Sequence, residues 1–126
     1  MKFHLTEKGF KSNFNYGDLQ ISGDEEYGFR PFQLMVSSIV GCSGSVFRKI
    51  LAKQRIEIEN MEILAEVKRN PHEANRIEKI ILQYIVQGEK LDQKKLQKSL
   101  AIARKNCAMI QSVVGSIDIE ETIKIK

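Results

Sequence analysis

The chain has 126 residues, of which 42% are hydrophobic and 29% charged, and a net charge of +4. That length suits one globular domain over residues 1–126, and two cysteines without a C-x-x-C spacing argue against a disulfide framework or a zinc site. Segment 89–106 holds six basic residues against Glu89 and Asp92, so the rest of the chain is neutral and a general affinity for nucleic acid is not expected.

The opening residues MKFHLTEKGFKSNF alternate polar and apolar side chains without the continuous apolar core of a signal peptide, and a cytoplasmic protein is expected. Alternation continues through FKSNFNYG and DLQISG, with turns near Gly9 and at Tyr16-Gly17-Asp18, so three short antiparallel strands are predicted. The polar GDEEYG reads as a loop. Pro31 follows it and suits the first position of a helix, where its missing N–H costs nothing. This helix is predicted to run to about Arg55, about 37 Å, enough to be the spine of a small domain.

Pro31–Phe47 is the longest uncharged run, and it includes Gln33, Ser37, Ser38, Gly41, Ser43, Gly44 and Ser45. At 17 residues it is too short and too polar for a membrane span, which needs about 20 mostly apolar residues. A helix without charge on any face implies burial on every side, more than one small sheet supplies, and a homodimer is expected.

NMEILAEVKR and NRIEKIILQYIVQG alternate on either side of Asn70-Pro71-His72-Glu73 and predict a long β-hairpin. LDQKKLQKSLAIARKNC returns to helical spacing with Asp92 as N-cap, and SIDIEETIKIK closes as a strand whose paired glutamates interrupt the alternation. The order βββ-α-ββ-α-β is an α+β plan with antiparallel sheet packed on a central helix.

On a helical wheel, Cys42 shares an apolar face with Met35, Ile39 and Val46, while Ser37, Gly41 and Ser45 form a small-residue stripe suited to close helix packing. On the second helix, Leu96, Leu100, Ala103 and Cys107 lie together, opposite Lys94, Lys98 and Lys105. Those lysines lack interleaved aromatics and read as a solvated face. His4 and His72 are isolated surface histidines rather than metal ligands. Two inward cysteines facing one core have two readings, small buried hydrophobes or a redox pair, and the wheel does not choose between them.

Two stretches carry a resemblance. RPFQLMVSSIVGCSGSVFRKIL resembles the proline-led central helix of the osmotically inducible protein C and organic hydroperoxide resistance (OsmC/Ohr) family, and ARKNCAMIQSV is similar to its second-cysteine helix. The resemblance implies an intertwined homodimer with central helices packed across the interface. It also implies a peroxidatic Cys42, a resolving Cys107 and reduction by an external dithiol, with no metal or organic cofactor. Family members carry a glutamate nine or ten residues before the first cysteine, where this chain has Gln33 and Phe32. They also carry an amino-terminal arginine that stabilises the thiolate. Residues 1–29 have none, so Arg30 is the nearest candidate.

Phe29, Phe32, Met35 and Phe47 are candidates for an apolar cleft favouring organic hydroperoxides. The function expected is an OsmC-like thiol-dependent peroxidase. The alternative is a non-catalytic dimer of the same fold that binds or senses a small apolar or thiol-reactive ligand, an option the missing glutamate favours.

Overall fold

A computed structural model describes residues 1–126, which divide into two compact units, Met1–Ser37 and Ser38–Lys126. In the first, β1 (His4–Leu5), β2 (Phe10–Asn13) and β3 (Asp18–Ile21) form the expected antiparallel meander. Gly9 is required at the first turn because a Cβ there would lie 1.9 Å from the Ile21 carbonyl oxygen. GDEEYG is a loop that returns beside β3, where the Phe29 N–H donates to the Gln20 carbonyl at 2.8 Å and the Ser22 N–H to the Phe29 carbonyl at 3.1 Å.

Helix α1 (Pro31–Lys53) starts at the expected proline. It stops two residues before the predicted end, because Arg55 adopts a left-handed φ of 58°. The Ile56 N–H then donates to the Leu51 carbonyl at 2.9 Å and the Arg55 N–H to the Ala52 carbonyl at 3.1 Å, a pairing that satisfies the last carbonyls. Glycine usually takes that position, so an arginine there gave no stop signal.

In the second unit, β4 (Asn60–Asn70) and β5 (Arg76–Gln87) form the expected hairpin, turning through left-handed Ala74 and Asn75. The Asn70 side chain accepts from the His72 N–H at 2.9 Å and fixes the start of that turn. Helix α2 (Gln93–Asn106) is capped by Asp92, whose carboxylate accepts from the Lys94 and Lys95 N–H groups. The predicted helix through Cys107 is interrupted there. Cys107 is extended (φ −86°, ψ 108°), and a short α3 (Ala108–Val113) follows.

The final strand β6 (Asp118–Ile125) lies parallel to β5, with Lys79 opposite Asp118 and Val86 opposite Ile125, so the expected all-antiparallel sheet is corrected to a mixed one. Parallel neighbours need a long crossover, and α2 and α3 provide it. The same register points Ile80, Leu82, Tyr84 and Val86 of β5 and Ile119 and Ile123 of β6 to one buried face.

Against that face α1 buries Ile39, Ser43, Phe47 and Leu51, and α2 buries Leu96, Leu100 and Ala103. Gly44 allows close approach, since a Cβ there would stand 3.0 Å from Ile63 Cδ1. By length and composition α1 could cross a bilayer, yet its side chains furnish the core of this unit. The burial on every side expected with a homodimer is not reached within one chain. Gly41 and Ser45 are exposed, and in the first unit Met35 is 45% exposed.

Candidate functional site

The four-residue spacing of Ile39, Ser43 and Phe47 centres the buried stripe of α1 on Ser43, which rotates Cys42 about 100° to the stripe's edge and leaves it half-buried. Cys107 comes from the opposite direction. It is wholly buried at the break between α2 and α3, its N–H donating to the Arg104 carbonyl at 3.4 Å and its Sγ accepting from the Ile110 N–H at 3.5 Å. The two free thiols, 64 residues apart in sequence, are within hydrogen-bonding reach of each other.

Their surroundings differ. The Met109 N–H and then the Cys107 thiol hydrogen-bond to Cys42 and hold its pKa below that of an ordinary thiol; burial opposes them, and the Ala108 N–H adds a weaker lowering effect. The break in the helix is what frees those N–H groups, because the first turn of α3 has no intrahelical acceptors for them. Burial pushes the Cys107 thiol up, and the adjacent Cys42 reinforces that, while the Ile110 N–H partly offsets it. Backbone donors therefore favour the thiolate form at half-buried Cys42, and burial favours the thiol form at Cys107.

Behind the pair lies a polar network that sequence reasoning missed. Ser43 and Tyr84 are hydrogen-bonded through their hydroxyls, and Ser43 Oγ donates to Glu121 Oε2 at 3.1 Å. Arg104 Nη1 donates to Glu121 Oε1 at 3.3 Å. Tyr84 is fully buried with Phe47 edge-on to its ring, and burial pushes its phenol far above the ordinary range. One signal was present in the sequence. Glu121 occupies an inward register between Ile119 and Ile123, where the strand pattern calls for another apolar residue.

Arg30 and Gln33 belong to the Met1–Ser37 unit. The Arg30 guanidinium lies 4.8 Å from the centre of the Phe32 ring, and Gln33 borders a hollow with Tyr27, Gly28 and Phe29. Of the aromatic candidates for a cleft, Phe47 is core, whereas Phe29 is 58% exposed. Leu96, Leu100, Ala103 and Cys107 share the buried face of α2 as predicted, and Lys94, Lys98 and Lys105 are exposed opposite.

The family model described as OsmC-like protein matches residues 23–122. Among solved structures, the chain is similar to a hypothetical protein from Aquifex aeolicus VF5, at 25% identity and a TM-score of 0.88, over 99% of this chain and 93% of that one. It is also similar to an OsmC-like protein from Mycoplasma pneumoniae, at 12% identity and a TM-score of 0.86, over 98% and 94%. An organic hydroperoxide resistance protein OsmC from Legionella pneumophila aligns at 18% identity and a TM-score of 0.77, over 98% and 93%. No curated protein matches the chain. These likenesses agree with the α+β architecture expected from the order of elements.

Proposed function

The chain belongs to the OsmC-like protein family, and on that premise we propose that it is a thiol-dependent peroxidase reducing organic hydroperoxides through Cys42 and Cys107. The observation that carries this reading is the pairing of two free thiols with opposite shifts, Cys42 lowered by backbone N–H groups and Cys107 raised by burial. The Cys42 thiolate attacks the hydroperoxide, the O–O bond breaks, an alcohol leaves and the sulfur becomes a sulfenic acid. Cys107 then attacks that sulfur, the S–O bond breaks, water leaves and a disulfide forms. An external dithiol reduces the disulfide by exchange.

The reading includes a cytoplasmic homodimer that covers the exposed Gly41 and Ser45 on α1, residues 1–126 acting as one domain. Arg30 is assigned to the thiolate from the partner protomer, and Gln33 hydrogen-bonds at the start of α1 where relatives have a glutamate. The name of the Legionella pneumophila neighbour, organic hydroperoxide resistance protein, supports the choice of substrate class.

Reduced protein mixed with cumene hydroperoxide and dithiothreitol is expected to consume peroxide and to yield a Cys42–Cys107 crosslinked peptide. Cys42→Ser is expected to do neither. Protein that neither turns over nor forms the disulfide would sink the peroxidase reading.

A second reading, a dimer that binds or senses a small apolar or thiol-reactive ligand without turnover, draws on Gln33 replacing a carboxylate beside a hollow of about 560 Å³ lined by Tyr27 and Phe29. Under it, Cys42→Ser retains ligand-induced thermal stabilisation. A strict requirement for the thiol counts against it.

A further inference from the structure

Glu121 sits at a core-facing position of β6 between Ile119 and Ile123, and its side chain is only 5% exposed. An apolar residue would fill that position at lower cost, because taking a charge out of water is unfavourable even when it is paired. A buried ion pair adds little net stability, and its better-attested use is to fix register between packed elements. The two oxygens of Glu121 accept from different helices. Ser43 of α1 donates to Oε2 at 3.1 Å, and Arg104 of α2 donates from Nη1 to Oε1 at 3.3 Å. Ser43 has one proton to give, so the Tyr84 hydroxyl donates to Ser43 and holds it from β5.

Each arm of this arrangement ends beside a cysteine. Ser43 directly follows Cys42 in α1. Arg104 lies in the last turn of α2, and its carbonyl accepts from the Cys107 N–H at 3.4 Å and from Gln111 Nε2 of α3 at 3.0 Å. The residue that bonds Glu121 through its side chain therefore holds the helix break through its backbone. Apolar packing tolerates small slides of one helix over another, whereas hydrogen bonds weaken with small changes of distance and angle. The geometry points to Glu121 as the positioning residue of the cysteine pair, a clamp that sets α1 and the break between α2 and α3 in the register at which Cys107 and the α3 N–H groups reach Cys42. This rests on the reading of Cys42 and Cys107 as one redox site and adds to it a residue bonded to neither sulfur.

A clamp and a bare charge have opposite effects on Cys42. If Glu121 acted by its charge alone, neutralising it would favour the thiolate and lower the pH at which Cys42 reacts. Releasing a clamp leaves the α3 N–H groups less well aligned and raises that pH. It also lowers the effective concentration of Cys107 at Cys42, since a misplacement of about 1 Å can cost roughly a hundredfold between held groups.

The full-length chain is equilibrated with mixtures of reduced and oxidised glutathione, and acid quenching with mass spectrometry reads the fraction of Cys42–Cys107 disulfide. In this exchange the two protein thiols are oxidised and one S–S bond forms between them. The S–S bond of oxidised glutathione breaks, and its two sulfurs take up the two protons. In parallel, the rate of Cys42 alkylation by iodoacetamide is followed against pH. Both are read where circular dichroism shows the chain folded, so that global stability does not enter.

Glu121→Gln keeps an acceptor for Ser43 and cuts the arm to Arg104, while Ser43→Ala cuts the arm from α1 without a change of charge. Each is expected to lower the disulfide equilibrium constant at least about fivefold. Each is also expected to slow Cys42 alkylation at pH 7 about two- to threefold, with the half-titration point moving to higher pH. Ser99→Ala removes another buried bond between the same regions, from α2 to Gln54 Oε1 just past the end of α1 at 2.6 Å, and is expected to keep wild-type values of both.

A wild-type value of either readout in a folded Glu121→Gln or Ser43→Ala chain would overturn the clamp. So would a half-titration point that moves to lower pH in Glu121→Gln, or equal changes in Ser99→Ala. Ser43→Ala decides alone if Glu121→Gln does not fold. Neither readout uses peroxide, so the two readings fail separately. If these shifts appear in a protein that never consumes cumene hydroperoxide, the peroxidase reading falls and the clamp stands. If the wild type turns over peroxide and the shifts are absent, the reverse holds.

Discussion

Replacing Ala108 with proline removes one of the N–H groups that hold down the Cys42 pKa, and the local backbone accepts the change. Ala108 is the first residue of α3, where proline is favoured, and it follows Cys107 in the extended conformation that a residue before proline prefers. A hydrogen bond to a charged group is worth roughly 1.5–3 kcal/mol. The sulfur is half-buried, so water recovers part of the loss, and Ala108 is the weakest of the groups that lower this thiol. About 1 kcal/mol is the expected cost to the thiolate, roughly a fivefold smaller thiolate population at neutral pH. A more basic thiolate is also a better nucleophile, which returns about half of that effect on a logarithmic scale.

The rate of Cys42 alkylation by iodoacetamide at neutral pH, read by mass spectrometry, is therefore expected to fall about two- to threefold. Its half-titration point is expected to move to higher pH. Thermal stability is expected to stay level or rise, because a proline at a compatible site restricts the unfolded chain. Slower alkylation without lost stability separates a missing N–H from a damaged fold. An unchanged alkylation profile in a well-folded variant would refute the role given to the α3 N–H groups.

Three further outcomes are expected. Burial raises the Tyr84 phenol in the folded state above its unfolded value, so the folded chain holds that proton more tightly and stability falls as pH rises past about 10; urea unfolding of Tyr84→Phe between about pH 9 and pH 11 should show a shallower decline than the wild type. Phe47→Ala, at a fully buried ring edge-on to Tyr84, should lower unfolding free energy by about 3–5 kcal/mol in urea titrations at fixed protein concentration. Gly9→Ala forces a Cβ against the Ile21 carbonyl and should destabilise by about 1–3 kcal/mol, whereas Gly17→Ala, with open space around it, should stay within about 0.5 kcal/mol in the same titrations.

Much of this protein was legible in one dimension. Apolar spacing along the chain specified three short strands, a proline-led helix, a hairpin, a second helix capped by Asp92 and a closing strand, because periodicity and capping are properties of neighbouring residues. The inward direction of Cys107 followed from its place on the wheel with Leu96, Leu100 and Ala103. Whether the two cysteines are buried hydrophobes or a redox pair was open in the sequence, and the fold adds that the two thiols lie within hydrogen-bonding reach of each other.

What only the tertiary structure decided involves partners far apart in sequence. Alternation marks β6 as a strand without giving its direction, and the crossover through α2 and α3 sets it parallel to β5. Helical spacing continues through residue 107, yet the chain breaks there and turns the N–H groups of α3 toward Cys42. Ser43, Tyr84, Arg104 and Glu121 come from four different elements, and no window of sequence contains their hydrogen bonds. Local pattern chose the elements because backbone propensity acts over a few residues. The chemistry of the site awaited packing, because a thiol's acidity depends on which donors, charges and water the folded chain brings to it.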